Sequence, residues 1–267
     1  SLTSITPNST QYWKVGELKN ITWVSNPADQ GNVRIVYSLD GTAYPESAPD
    51  QKVTPVDVNS STSPYPWTVP SAATGETVYF RIYRVLDPTV KVENTTPVKI
   101  YNLTLNALPA ILRVGDAQTI AWNKTGAFTS PTADLKVFVS TDGVNFPPAN
   151  EITGPPLPTG ISFNWASIQD AYRSNTVKVR VEWQGSTNIK VDSPTIAIKP
   201  KVDVTSPDTG TFAIDGSMAI NFTHTGRATD TFKVLYSING GDAGGGTYPV
   251  GQELATITST GTTPLNG

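Results

Sequence analysis

The chain has 267 residues, a net charge of −3 and charged side chains at only 15% of positions, so it carries no basic footprint for nucleic acid. It contains no cysteine, which excludes a disulfide framework, thiol catalysis and thiolate metal sites. Nothing approaches the run of about 18 apolar residues that a membrane-spanning helix requires, and Ser1 stands just ahead of the first expected strand, as in a mature or excised segment.

In chain order, residues 18–24 set Leu18, Ile21 and Trp23 as the larger apolar side chains, with Lys19, Asn20 and Thr22 between them. That period of two marks a strand with one buried face, and the slip at Leu18 marks a bulge or a strand start. Val33-Arg34-Ile35-Val36-Tyr37 alternates again and closes on Asp40-Gly41, a hairpin signal because glycine accepts positive φ. Residues 64–70, bounded by Pro64 and Pro70, read as a short edge strand. Residues 77–85 read as a long central strand, and residues 91–100 contain the last one.

The same order then returns about every hundred residues. Val15-Gly16 with Ile21-Thr22-Trp23 becomes Val114-Gly115 with Ile120-Ala121-Trp122, then Asp215-Gly216 with Ile220-Asn221-Phe222. Tyr37-Ser38-Leu39-Asp40-Gly41 becomes Val139-Ser140-Thr141-Asp142-Gly143, then Tyr236-Ser237-Ile238-Asn239-Gly240. Phe163-Asn164-Trp165 answers Tyr65-Pro66-Trp67, residues 177–181 answer 78–82, and Ser193-Pro194 answers Thr96-Pro97. Roughly seven short strands per copy, with turn signals every 8–12 residues, predict an all-β chain of tandem Ig-like or fibronectin-III-like β-sandwiches in a rod, with the third copy incomplete. The units are expected at 1–101, 102–200 and 201–267. Their junctions are too short and too poor in Gly and Ser to act as flexible linkers. The third unit should hold strands from Lys201, over 218–222, 232–236 and 253–258. No helix is expected beyond one turn within 166–172.

This order of motifs resembles the Ig/fibronectin-III-like domains repeated in tandem in secreted microbial cell-surface proteins. It is also similar to the Ig-like domain at the start of the fungal Kre9/Knh1 cell-wall proteins. The resemblance covers both complete copies and the front of the third, and it implies an extracellular, cell-surface location. The third copy departs from it at Phe222 and Asn239.

Few residues invite chemistry. His224, the one histidine, has no acid and nucleophile at recognisable spacing, so no triad is expected. Asp40 and Asp142 each offer one carboxylate in a turn, whereas calcium wants six or more oxygens. Asp87, Glu93 and Asp192 would bind Ca²⁺ only if a junction gathered them. Paired carboxylates for glycoside hydrolysis are not apparent. Trp23, Trp67, Trp122 and Trp165 recur with period-two neighbours and are expected in cores, whereas Trp13 and Trp183 have no counterpart in the repeat and are the candidate exposed aromatics for stacking on a sugar. Asn-x-Ser/Thr sequons at Asn8, Asn20, Asn59, Asn94, Asn102, Asn123 and Asn221 are candidate glycan acceptors.

The reading that follows is a non-enzymatic extracellular structural segment of a surface layer, fibre or adhesin stalk, with no cofactor and no nucleic-acid partner, associating with itself or with neighbouring copies. Cell-wall polysaccharide is the alternative partner, through a carbohydrate-binding module or an accessory region of a secreted hydrolase. The unfinished third copy is either a piece of a longer repeat chain or a sandwich completed by strands from a neighbour.

Overall fold

The computed structural model describes residues 1–26, 31–45, 51–73, 77–126, 135–158, 160–207, 218–225, 227, 229–237, 248, 252–259 and 265–266. The first unit contains β1 (Leu2–Thr6), β2 (Tyr12–Lys14), β3 (Leu18–Ser25), β4 (Asn32–Ser38), β5 (Val58–Asn59), β6 (Tyr65–Thr68), β7 (Thr77–Arg84), β8 (Asp87–Glu93) and β9 (Val98–Leu105). One sheet has the order β1-β3-β6. The facing sheet sets β4 between β5 and β7, runs β8 and β9 along β7, and adds β2 parallel to β9. Two antiparallel sheets of this order, closed by one parallel edge pair, make an Ig-like sandwich. Ile21, Val33, Ile35, Val78, Phe80, Ile82, Val98 and Ile100 are completely buried between the sheets, and Trp13, Trp23 and Trp67 join them.

The second unit repeats the plan with β10 (Ile111–Arg113), β11 (Gln118–Gly126), β12 (Leu135–Ser140), β13 (Ser162–Trp165), β14 (Ser174–Trp183), β15 (Ser186–Asp192) and β16 (Ile196–Lys199). Here β10 lies parallel to β16, as β2 does to β9. Of its two 3-10 turns, Pro148–Asn150 and Asp170–Tyr172, the second falls where one helical turn is expected. No disulfide joins the sheets, and Trp122 and Trp165 fill the space that apolar burial must close.

The third unit has β17 (Lys201–Ser206), β18 (Asn221–Thr225), β19 (Thr231–Leu235), β20 (Glu253–Thr258) and β21 (Leu265–Asn266). The sheet β17-β18-β21 matches β1-β3-β6, and β19 pairs with β20. Counterparts of β7, β8 and β9 do not occur among the described residues. The strand expected at 218–222 begins instead at Asn221. The Asp215-Gly216 and Asn239-Gly240 turns lie outside the described residues.

Two expectations are corrected. The turns at Asp40-Gly41 and Asp142-Gly143 form with positive-φ glycines, at +76° in both, but they close no two-residue hairpin. In each, the aspartate Oδ1 accepts two backbone N–H groups ahead of it and the hydroxyl of Ser38 or Ser140, a side-chain turn that sends the chain away from the sheet. The strand beside β4 is then β7, far along the sequence. The last strand of the first unit is also longer than expected: it runs past residue 100 to Leu105. Val98–Ile100 serve the first unit, and Tyr101–Leu105 pair with β11 of the second.

Candidate functional site

With no catalytic cluster expected, the places where units meet are the chemically distinctive ones. At the first junction the shared strand β9 leaves no linker, and the turn after β14 leans against β2. Tyr12 on β2 meets Trp183 on β14 edge-on, with ring centroids 5.8 Å apart at 71°. Tyr101 donates its hydroxyl to the Asn188 carbonyl at 3.3 Å, and burial raises its pKa. The indole of Trp183 lies over Gly185, where a Cβ would stand 2.5 Å from the ring. Tyr12, Tyr101 and Trp183 thereby join the apolar core of the second unit.

The second junction is made of charge. Only Pro200 separates β16 from β17. Arg173 pairs with Asp230 across the junction, Arg227 pairs with Asp170 at 3.1 Å, and Lys201 with Asp116 at 3.4 Å. Thr225 donates its hydroxyl to the Val114 carbonyl at 2.9 Å, against the turn at Gly115. Hydrogen bonding from Arg173, then from the Arg227 backbone, holds the Asp230 carboxyl below the usual carboxylate range. A depressed carboxylate contributes above its unfolded pKa of about 4 and loses that contribution as pH falls through the folded value. The contribution of the Arg173–Asp230 pair to the contact between the second and third units should therefore be present at neutral pH and be lost in acid below about pH 4. It should also weaken in about 1 M salt, which screens partly exposed pairs. The first junction should respond to neither, as cross-linking between the units would report.

The expected stacking platforms are not on the surface. Trp13 is 3% exposed and Trp183 7%. Trp13 occupies the register position on β2 that Leu112 occupies on β10, so its counterpart in the repeat is a leucine at a core position. Trp183 is covered by the neighbouring unit. Trp23, Trp67, Trp122 and Trp165 lie in the cores as expected.

Among the sequons, Asn8, Asn20 and Asn123 are exposed, and Asn59, Asn102 and Asn221 are half-buried. Asn94 is corrected: it is 3% exposed and both ends of its amide are used. Its Oδ1 accepts from the Phe80 N–H and its Nδ2 donates to the Thr96 carbonyl. Ser193 does the same work in the second unit, accepting from the Val179 N–H and donating to the Pro194 carbonyl. Asn94→Ala should cost the first unit about 1–3 kcal/mol, because it orphans buried backbone groups. Asn94→Ser should restore most of that, as read from denaturation midpoints.

His224 does have a hydroxyl partner. Its Nε2 lies 3.0 Å from Ser259 Oγ, and its ring packs 4.6 Å from Phe232. Both residues are buried, and Nδ1 has no hydrogen-bond partner among the described residues. Asp230 accepts the Ser259 N–H at its backbone carbonyl, while its carboxylate serves Arg173 and the Arg227 N–H. Among the described residues no carboxylate orients the imidazole, and both side chains are buried, a geometry suited to packing. The acids are dispersed: Asp87 binds Thr89, Glu93 pairs with Arg81 and Lys91, and Asp192 with Arg180. Among the described residues no three carboxylates or imidazoles gather around a common point.

No family model matches the chain, and no curated protein matches it. Solved structures to which it is similar include the insect immune protein hemolin, described as a domain arrangement with implications for homophilic adhesion, at 12% identity over 72% of this chain and a TM-score of 0.33. Others are the ICAM-5 D1–D4 ectodomain fragment, at 12% identity, 96% coverage and a TM-score of 0.27, and the N-terminal eight Ig domains of Down Syndrome Cell Adhesion Molecule, at 8%, 85% and 0.29. The chain spans 45% of the hemolin structure, 68% of the ICAM-5 fragment and 27% of the third. At these scores the likeness carries no argument about function, and the assignment to Ig-like sandwiches rests on strand order.

Proposed function

We propose that this chain is a non-enzymatic structural segment of an extracellular, cell-surface protein, in which Ig-like units of residues 1–101, 102–200 and 201–267 act as spacers of set length and angle in a layer, fibre or adhesin stalk. One observation carries this reading: the first two units share strand β9 and interlock Tyr12 with Trp183, so their relative placement is built into the sheets. A segment whose work is enzymatic has no need of such a splice, but one that transmits spacing or load does. Neighbouring copies of the same protein are its proposed partners, and exposed sequons such as Asn8, Asn20 and Asn123 its proposed glycan acceptors. The carbohydrate-binding alternative loses its two platforms with the burial of Trp13 and Trp183.

Small-angle scattering tests the spacer role. The unaltered chain should give a narrow distance distribution for the first two units. Four flexible residues inserted between Tyr101 and Asn102 should broaden it while both units stay folded. If the unaltered chain already scatters like the insertion variant, the spacer reading fails.

A further inference from the structure

In both of the first two units the two sheets differ in what they turn outward. On the sheet of β1, β3 and β6, β3 sends Ile21 and Trp23 into the core and faces Leu18, Asn20, Thr22 and Val24 outward. On the sheet of β9, β11 and β13, β11 sends Ile120 and Trp122 inward and faces Thr119, Ala121, Asn123 and Thr125 outward. None of these outward residues is charged, and neither is any residue that the register sets opposite them. The other sheet of each unit carries the charge. Arg34 pairs with Asp57 at 2.8 Å and Arg81 with Glu93 at 2.7 Å. Lys136 and Arg180, which stand in their places in the second unit, pair with Glu151 at 3.1 Å and Asp192 at 2.7 Å.

The shared strand β9 aligns these faces. It belongs to the charged sheet of the first unit and to the uncharged sheet of the second. Its buried row also changes phase. Val98 and Ile100 point into the first core, and Tyr101 and Leu103 into the second, so the two cores lie on opposite faces of the strand. The two reversals cancel. Within the twist of β9, both uncharged sheets face one side of the chain and both charged sheets the other.

The two sides differ in what contact with a partner costs. Covering the charged side would desolvate ion pairs that are already satisfied within their own unit. Covering the uncharged side exchanges water for hydroxyls and amides, each of which both donates and accepts, so this face complements itself. Leu18 and Val24, 65% and 54% exposed, add apolar points from which a partner excludes water. A saccharide is the poorer fit, because Trp23, Trp67, Trp122 and Trp165, the tryptophans of these two sheets, all point into the cores. Each uncharged plate measures about 20 Å along its central strand by about 14 Å across. Two plates offer roughly 500 Å² on each copy and about 1,000 Å² for a pair, the size of a weak specific interface.

We infer that the uncharged side of the first two units is a lateral docking surface for a second copy of this chain, placed face to face so that each copy presents the same side to the other. The inference rests on neighbouring copies being the partners, as proposed above. A glycan on Asn20 or Asn123 would stand on this surface, so the unmodified chain is the one that pairs.

Sedimentation equilibrium of the whole 267-residue chain, made without glycans, tests this between about 1 µM and 1 mM. The chain should dimerise with a dissociation constant of about 10–100 µM, and about 1 M salt should leave that value unchanged, since no charge lies in the contact. Asn20→Lys with Asn123→Lys should weaken pairing at least about tenfold, because like charges would then meet across it. Asn20→Ala with Asn123→Ala should keep most of the pairing. Thr119→Lys alone gives the same readout if the double lysine variant fails to fold. A dimer that the lysines leave intact, or that salt dissolves, overturns this surface while neighbouring copies remain the partners. A chain still monomeric at about 1 mM overturns both. Retention of that monomer on microcrystalline cellulose, lost with the lysines, would assign the same side to a polysaccharide instead.

Discussion

Replacing Trp122 by alanine should lower the stability of the second unit by about 3–5 kcal/mol, among the largest losses expected from any single side chain here. Trp122 is 1% exposed and lies in a core that has no disulfide to fall back on. The loss should appear as rapid hydrogen exchange over β11, β12 and β14, and β9 should open only in its second half, because Val98–Ile100 belong to the first core. The milder change to phenylalanine separates packing from hydrogen bonding. Trp23 Nε1 donates to the Ser60 carbonyl at 2.8 Å inside the first unit, whereas Trp122 Nε1 is buried with no partner among the described residues. Trp23→Phe should therefore cost about 1–3 kcal/mol more than Trp122→Phe, since only the first orphans a buried carbonyl. The third copy already carries Phe222 at this position. Equal costs for the two phenylalanine variants would show that the Trp23 hydrogen bond contributes nothing net.

Much of this fold is legible from the chain because a repeat supplies its own control. The alternation in β3, β4, β7, β11 and β14 is local, and each buried row falls where a period of two puts it. The tryptophans at 23, 67, 122 and 165 were legible for the same reason: two copies agreed on an apolar environment. Trp13 and Trp183 were misleading because nothing in the other copy looked like them. Trp13 stands in for Leu112, a change of size at a position that stays apolar, and its three-residue strand is too short to show a period. Trp183 is buried by Tyr12, a residue 171 positions away, and no local pattern reports such a contact. Asn94 is a candidate acceptor because a sequon is three residues of sequence, whereas its burial and its hydrogen bond from the Phe80 N–H depend on the fold. The equivalence of Asn94 and Ser193 was present in the alignment of Thr96-Pro97 with Ser193-Pro194, but it needed the strand register to be seen. The ion pairs of the second junction were likewise invisible, since Asp170 with Arg227 and Arg173 with Asp230 are each 57 residues apart.

Trp183→Ala is the second change with a large expected effect, and it decides what this tryptophan is for. As a junction residue it closes the end of the second core and holds Tyr12 in an edge-on pair. Removing it should cost about 3–5 kcal/mol in the second unit, of which the aromatic pair accounts for roughly 0.5–1.5. The same variant should broaden the scattering-derived distances between the first two units, because the turn at 184–185 would no longer lean on β2. A solvent-facing sugar platform would behave in the opposite way: its loss would leave stability within about 0.5 kcal/mol and abolish retention on a glycan matrix. Gly185→Ala supplies an independent handle on the same contact. Its new methyl would press on the indole at 2.5 Å, so the ring must move while the rest of the second core keeps its side chains. If Trp183 acts by joining the units, Gly185→Ala should loosen the junction with a smaller stability loss than Trp183→Ala. If both variants leave the inter-unit distances unchanged, the shared strand β9 alone sets the angle between the units, and the aromatic contact is packing without mechanical consequence.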